Sequence, residues 1–219
     1  MILSDKYRFI FLKARKVAGT SFEMALSKYL TASDIITPIS PDDENKRKEL
    51  GFRGAQNYVK GDRELSNHIS AKACRQIIGK DWCKYEKISI VRNPWDVALS
   101  LFYYKQGPDA DLSTLSQWYL EGEGARFLGL NNQQYFIDGR LAVDRFLRFE
   151  YFKYDILKLE EERPEFSGLY EVFKGLSAKA GIRHEKSRDL REVYDSHPIL
   201  MEKIKQLHSY EIDRLGYSL

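Results

Sequence analysis

Two short segments of this 219-residue chain set cations beside residues that begin helices. The first is Lys13-Ala14-Arg15-Lys16-Val17-Ala18-Gly19, followed directly by Thr20 and Ser21. A helix N-terminus presents unpaired backbone N–H groups and the positive end of the helix dipole, so it can hold an anion without any side chain. Gly19 admits close backbone approach, Thr20 and Ser21 add hydroxyl donors, and Lys16 adds a full charge. This is phosphate-binding chemistry, although a capped helix with basic neighbours would carry the same residues. It is not the ATP-type loop, in which a lysine directly follows the second glycine of G-x-x-x-x-G-K-[ST]. Here Lys16 precedes Gly19, and residues 13–18 contain no glycine.

The second segment is Arg92-Asn93-Pro94-Trp95-Asp96, with Ser100 further along. Arginine offers a planar fork of donors to phosphate oxygens, and serine a neutral hydroxyl. The helical part of their separation spans about 10 Å at 1.5 Å per residue, a distance that one nucleotide phosphate and its surroundings bridge. Asn93 suits a helix N-cap, Pro94 the first helical position and Asp96 the first turn, while Trp95 reads as core. His68 is a candidate general base, because an imidazole near its ordinary pKa of about 6.5 accepts a proton at neutral pH. His184 stands among Lys186, Ser187 and Arg188, which as a bare charge cluster reads as solvated surface. His197 and His208 read as structural. Cys74 and Cys83 have no second pair at metal-ligand spacing, so a reduced pair of thiols is expected rather than a zinc site.

Strands must deliver these residues and helices must receive them. Tyr7 to Leu12 is a short apolar run that reads as a buried strand. Phe22, Ala25, Leu26, Tyr29 and Leu30 then recur along one face of an amphipathic helix. Thr31 to Arg63, with Pro38, Pro41 and the charge run Asp42 to Lys48, reads as a long loop or mobile insertion with its charges in solvent. Ser70 to Ile78 reads as a short helix capped by Ser70. Lys87 to Val91 is a second buried strand running into Arg92, and Val97, Leu101 and Tyr104 mark the buried stripe of a helix ending near Gly107-Pro108. Asp144 to Phe149 is a third strand, with helices over Tyr151 to Glu162 and His197 to Leu215. Strands separated by helices predict a mostly parallel α/β sheet in one domain over residues 1–219.

Together the two turns resemble the sulfotransferases that use 3′-phosphoadenosine 5′-phosphosulfate (PAPS). Lys16-Val17-Ala18-Gly19-Thr20-Ser21 looks like their 5′-phosphosulfate loop, and Arg92-Asn93-Pro94 with Ser100 looks like their 3′-phosphate motif. The likeness is closer to the carbohydrate-type branch, Golgi-like and bacterial. There the loop opens the domain, and the Arg-Asn-Pro run follows a segment like His68-Ile69-Ser70-Ala71. Leu147-Arg148-Phe149-Glu150 resembles the family's late strand, and Glu211 to Tyr217 its closing helix. The resemblance implies a single P-loop-like, three-layer α/β domain that moves a sulfuryl group from PAPS to a hydroxyl, with adenosine 3′,5′-bisphosphate (PAP) as product. It implies that Lys16 stabilises the leaving phosphate, that His68 is the base, and that Arg92 and Ser100 hold the 3′-phosphate. Lys186 and Arg188 would cover the nucleotide. Where many relatives carry a proline and a single lysine, this chain has Ala14-Arg15-Lys16-Val17, so Lys13 and Arg15 stay open as neighbouring phosphate contacts. No metal is expected in this scheme.

Composition narrows the partners. Lys and Arg exceed Asp and Glu by only three, which gives no argument for nucleic acid. Hydrophobic residues at 43% with charged residues at 31% exclude disordered, collagen-like and disulfide-scaffold classes. No window approaches the roughly 18 apolar residues of a membrane span, and the first residues carry Asp5, Lys6 and Arg8 rather than a signal-peptide core. A cytoplasmic enzyme acting on a glycan or small-molecule acceptor is the expectation. A nucleotide kinase or phosphotransferase on a related scaffold and a catalytically inactive nucleotide-binding protein are the alternatives.

Overall fold

A computed structural model of the chain describes residues 1–176 and 189–219. In chain order it opens with strands β1 (Ile2–Ser4) and β2 (Phe9–Leu12), helix α1 (Gly19–Ser27), strand β3 (Ile35–Ile36) and helix α2 (Pro41–Glu49). A hairpin of β4 (Val59–Lys60) and β5 (Arg63–Glu64) precedes α3 (Ala71–Ile78), β6 (Glu86–Val91) and α4 (Pro94–Gln106). Then come α5 (Leu115–Leu120), α6 (Asn132–Tyr135), the hairpin β7 (Phe136–Ile137) with β8 (Arg140–Leu141), and β9 (Arg145–Arg148). The remaining helices are α7 (Phe152–Glu162), α8 (Leu169–Lys174), α9 (Leu190–Asp195), α10 (Pro198–Leu207) and α11 (Ser209–Leu215). Contacts sort these into two compact units, one of Met1–Val91 with residues 133–176, the other of Arg92–Asn132 with residues 189–219.

The first unit holds a five-stranded mixed sheet in the order β3-β1-β2-β6-β9. Its longer ladders are parallel, β2 with β6 and β6 with β9, while β1 pairs antiparallel with both β2 and β3. All four residues of β2 are fully buried, the pattern of a strand covered on both faces. Ser89 on β6 sits opposite Leu12 and donates its hydroxyl to the Leu12 carbonyl at 2.6 Å, which fixes the register where β2 ends. Phe11 and Phe22 meet edge to face at 5.2 Å and hold α1 against β2.

The second unit is helical. Trp95, Ala98, Leu99 and Phe102 of α4 form its core with Leu115 and Tyr119 of α5, Val193 and Tyr194 of α9, and Leu200 and Ile204 of α10. Two buried hydroxyls bind the helices together: Tyr119 donates to Ala98 O and Tyr194 to Trp95 O, each at 2.8 Å.

The three predicted strands and the helix starts at Ser70, Asn93 and Pro94 are present, but several expectations need correction. The sheet begins earlier, at β1, because Ile2 and Leu3 pair with Phe11 and Ile10. Helix α1 is buried on nearly every side rather than amphipathic, and it stops at Ser27, short of Tyr29 and Leu30. The buried face of α4 runs through Trp95, Ala98, Leu99 and Phe102; Leu101 is buried but Val97 only half so, and Tyr104 is exposed. Residues His197 to Leu215 form two helices broken at His208. The largest error lies in the supposed insertion. The charge run forms α2, with Ser40 accepting from Asp43 N, Pro41 at the first position, acids in the first turn and bases in the last. Those are strong local helix signals. Arg47, far from being solvated, is fully buried and paired with Glu44.

Candidate functional site

Strand β2 runs directly into the first turn. After Leu12 the chain leaves the sheet, turns through residues 13–18 and enters α1 at Gly19. Two non-glycine residues in this turn are left-handed, Lys16 at φ 60° and Ala18 at φ 56°. Each L-residue held there costs about 1–2 kcal/mol, and such strain gathers at ligand clamps. The N-cap residue of α1, Ala18, offers no side-chain cap, whereas Ser40, Ser70 and Asn93 cap α2, α3 and α4. Arg15, Lys16 and Thr20 are half-buried; Val17 and Ser21 are buried. No glycine marks the strained positions, so the turn's backbone shape was invisible in the sequence.

Lys13 takes a place of its own. Its Nζ lies 2.9 Å from Glu23 Oε2, and both side chains are buried. Glu23, which the sequence reading passed over, sits one turn into α1 and ties the start of the loop to the helix that ends it. Its other oxygen accepts from the Met1 ammonium at 2.9 Å. Burial pushes the Glu23 carboxyl upward, but the ammonium of Lys13 and then that of Met1 outweigh it and hold the group at about 2. The Lys13 stem passes over Gly19, where an added Cβ would stand 2.9 Å from Lys13 Cγ. Close approach, not a positive φ, therefore demands glycine. Gly19→Ala is expected to cost about 1–3 kcal/mol by overpacking, read as a lower urea midpoint with an unchanged slope.

His68 joins the same turn. Its Nδ1 lies 3.0 Å from the Lys13 carbonyl oxygen. A carbonyl can only accept, so Nδ1 carries the proton and Nε2 keeps the basic lone pair. Burial drives the imidazole down to about 4; Lys13, Arg15 and the Met1 ammonium push the same way, against the Lys13 carbonyl bond. The ring is neutral at pH 7. The first unit thus brings together Lys13, Gly19, Glu23 and His68, one residue serving two neighbours: Lys13 offers its ammonium to Glu23 and its carbonyl to His68.

The second turn belongs to the helical unit. Asn93 Oδ1 accepts from Trp95 N at 3.1 Å and Asp96 N at 3.4 Å, and Asn93 Nδ2 donates to Ser218 O at 2.7 Å. Arg92 Nε donates to Asp96 Oδ2 at 2.8 Å, and a terminal nitrogen lies 2.6 Å from the same oxygen. Asp96 therefore orients the guanidinium as well as complementing the dipole. Arg92 and Ser100 are both half-buried. Lys186 and Arg188, with His184, lie outside the described residues. His197 Nδ1 contacts Ser116 Oγ at 2.8 Å, and His208 Nδ1 contacts Glu211 Oε1 at 2.8 Å, so both histidines are tied into the helical unit.

Cys74 is buried, and burial pushes its thiol up to about 12; Cys83 is exposed, and neither forms a disulfide. Among the described residues no cluster of three His, Cys, Asp or Glu side chains could hold a metal ion, and no helix is long and apolar enough to cross a membrane. In comparisons with known proteins, no family model and no curated protein matches the chain.

Proposed function

We propose that the chain is a PAPS-dependent sulfotransferase that sulfates a hydroxyl, on a carbohydrate by the resemblance of its motifs. The observation that carries this reading is the first turn: left-handed Lys16 and Ala18 ahead of an uncapped helix, with a neutral His68 hydrogen-bonded to the same loop. A helix N-terminus that can take an anion and a neutral imidazole whose Nδ1 is engaged, leaving the basic lone pair on Nε2, are the two things that sulfuryl transfer needs from protein.

In the proposed step the acceptor oxygen bonds to sulfur as the bond from sulfur to the 5′-phosphate oxygen breaks. His68 Nε2 takes the acceptor's proton, and the bisphosphate leaves with the bonding pair. Lys16 and the N–H groups of Gly19 to Ser21 stabilise the charge that develops on it. Arg92 and Ser100 take the 3′-phosphate, by analogy with the motif they resemble, and Lys186 and Arg188 are assigned to covering the nucleotide. On this reading β2, the turn and α1 are the phosphate-loop portion of a P-loop-like three-layer fold. The proposed compartment is the cytoplasm.

Titration calorimetry with PAP in EDTA tests the proposal. Binding is expected without metal and in preference to Mg-ATP. Arg92→Ala is expected to weaken it by about 1.5–3 kcal/mol through loss of a charge-assisted contact. A preference for Mg-ATP would favour the kinase alternative and overturn this one.

A further inference from the structure

The His68 ring is held at one nitrogen by the turn, but a single hydrogen bond leaves the ring free to pivot with its own backbone. That backbone is gripped from elsewhere in the first unit. Gln134 Nε2 donates to the His68 carbonyl at 2.9 Å and to the Ile69 carbonyl at 3.3 Å. The two acceptors fix the amide's orientation, because only its nitrogen can donate to a carbonyl. Gln134 is 2% exposed, and its Oε1 has no hydrogen-bond partner among the described residues. A buried acceptor left unmet is a cost that an apolar side chain of the same length would avoid.

The platform under Gln134 is rigid. Its neighbour Tyr135 donates its buried hydroxyl to Ile90 O on β6 at 2.8 Å and meets Phe146 of β9 edge to face at 5.1 Å. Ala142 N closes the following hairpin onto Tyr135 O at 2.8 Å. The short helix α6 is therefore pinned to β6 and to the edge strand β9, and Gln134 transmits that position to the peptide of His68.

We propose that Gln134 is a positioning residue for His68, its amide fixing the His68 peptide while the Lys13 carbonyl holds the imidazole at Nδ1. This rests on the reading of His68 as the base, but its first test does not. The charged groups that face the ring are Lys13, Arg15 and the Met1 ammonium, and all three favour the neutral form. Gln134 is uncharged, so replacing it alters the ring's placement without altering that field.

The experiment is nitrogen NMR of His68 across pH in the full chain, comparing the parent with Gln134→Met, which keeps length and removes the donor. The parent is expected to show one tautomer, protonated at Nδ1, and a titration near pH 4. In Gln134→Met the tautomers should mix and the midpoint should rise by at least about one unit toward the ordinary histidine value. Sulfate transfer from labelled PAPS should fall by about tenfold or more in kcat, with PAP affinity unchanged, as expected when a reacting group is misplaced. An unchanged His68 titration and tautomer would overturn the proposal. If the titration moves while transfer does not, Gln134 positions His68 but His68 is not the base. Should Gln134→Met fail to fold, Gln134→Asn, which keeps the amide and shortens its reach, is read in the same way.

Discussion

Glu23→Gln is expected to destabilise the first unit by about 3–5 kcal/mol, the usual consequence of removing one partner from a buried ion pair. Glu23 is fully buried, with Lys13 Nζ 2.9 Å from one oxygen and the Met1 amino group, which burial lowers to about 6, 2.9 Å from the other. A neutral amide at that place removes the carboxylate that both nitrogens face. Lys13→Met is expected to cost less, because Glu23 keeps the Met1 ammonium, and combining the two changes should give less than their sum. Acid makes the same change reversibly. The carboxyl is held at about 2 against an ordinary value of 4.5, so its contribution is complete above pH 4.5 and is lost as pH falls toward 2. Urea melts of the parent from pH 6 to pH 2 should show that loss, and Glu23→Gln should lack this part of it. An equal slope in both proteins would mean that Glu23 does not carry the acid sensitivity.

How much of this was legible beforehand depended on whether a feature is written in local pattern or in long-range contact. Strand β6 and the start of α4 were clear because Ile88 to Val91 is apolar but for Ser89, and Asn93-Pro94 is a local helix signal. The candidate residues Lys16, Gly19, His68 and Arg92 came from residue type and spacing together with the motif resemblance. Glu23 could not, because a carboxylate on a helix reads as solvent-facing until the fold brings Lys13 over it. Gln134 lies 66 residues from His68, and nothing local to either announces the contact. The left-handed turn was hidden for another reason: Lys16 and Ala18 occupy conformations that glycine usually signals. Helix α2 was the opposite case. Its Ser40 cap, its proline and its charge gradient were all present in the sequence, and the weight given to composition masked them.

The strained turn and the buried ion pair belong to one device. Residues 13–18 are held in shape at both ends, by the β2–β6 ladder before them and by the Lys13–Glu23 pair that clips the loop to α1. Left-handed alanine and lysine persist only where the surroundings over-determine them. Glu23 supplies part of that constraint through its pair with Lys13. This gives Lys13, the first cation of the segment, a place in the architecture, while the phosphosulfate role of Lys16 stays with the proposal.

His68→Gln is the sharpest test of the proposed chemistry. Removing a general base typically costs between 10² and 10⁴ in rate, about 3–5 kcal/mol of transition-state stabilisation. Transfer of labelled sulfate from PAPS should fall by that factor, while PAP affinity, which the proposal assigns to the turn and to Arg92, should stay within about twofold. The pH profile carries the more distinctive signature. With the imidazole held at about 4 instead of 6.5, the base is already deprotonated through the weakly acid range, so the acid limb of kcat/KM should lie near pH 4. Stability should respond in the opposite sense to a histidine that gains a carboxylate partner. Between pH 6.5 and 4 the unfolded chain binds a proton that the folded ring refuses, so folding weakens as pH falls through that window. His68→Gln should remove that part of the slope. A rate unaltered by the substitution would take His68 out of the mechanism, whereas an acid limb near 6.5 would mean that the ring reaches solvent in the working enzyme.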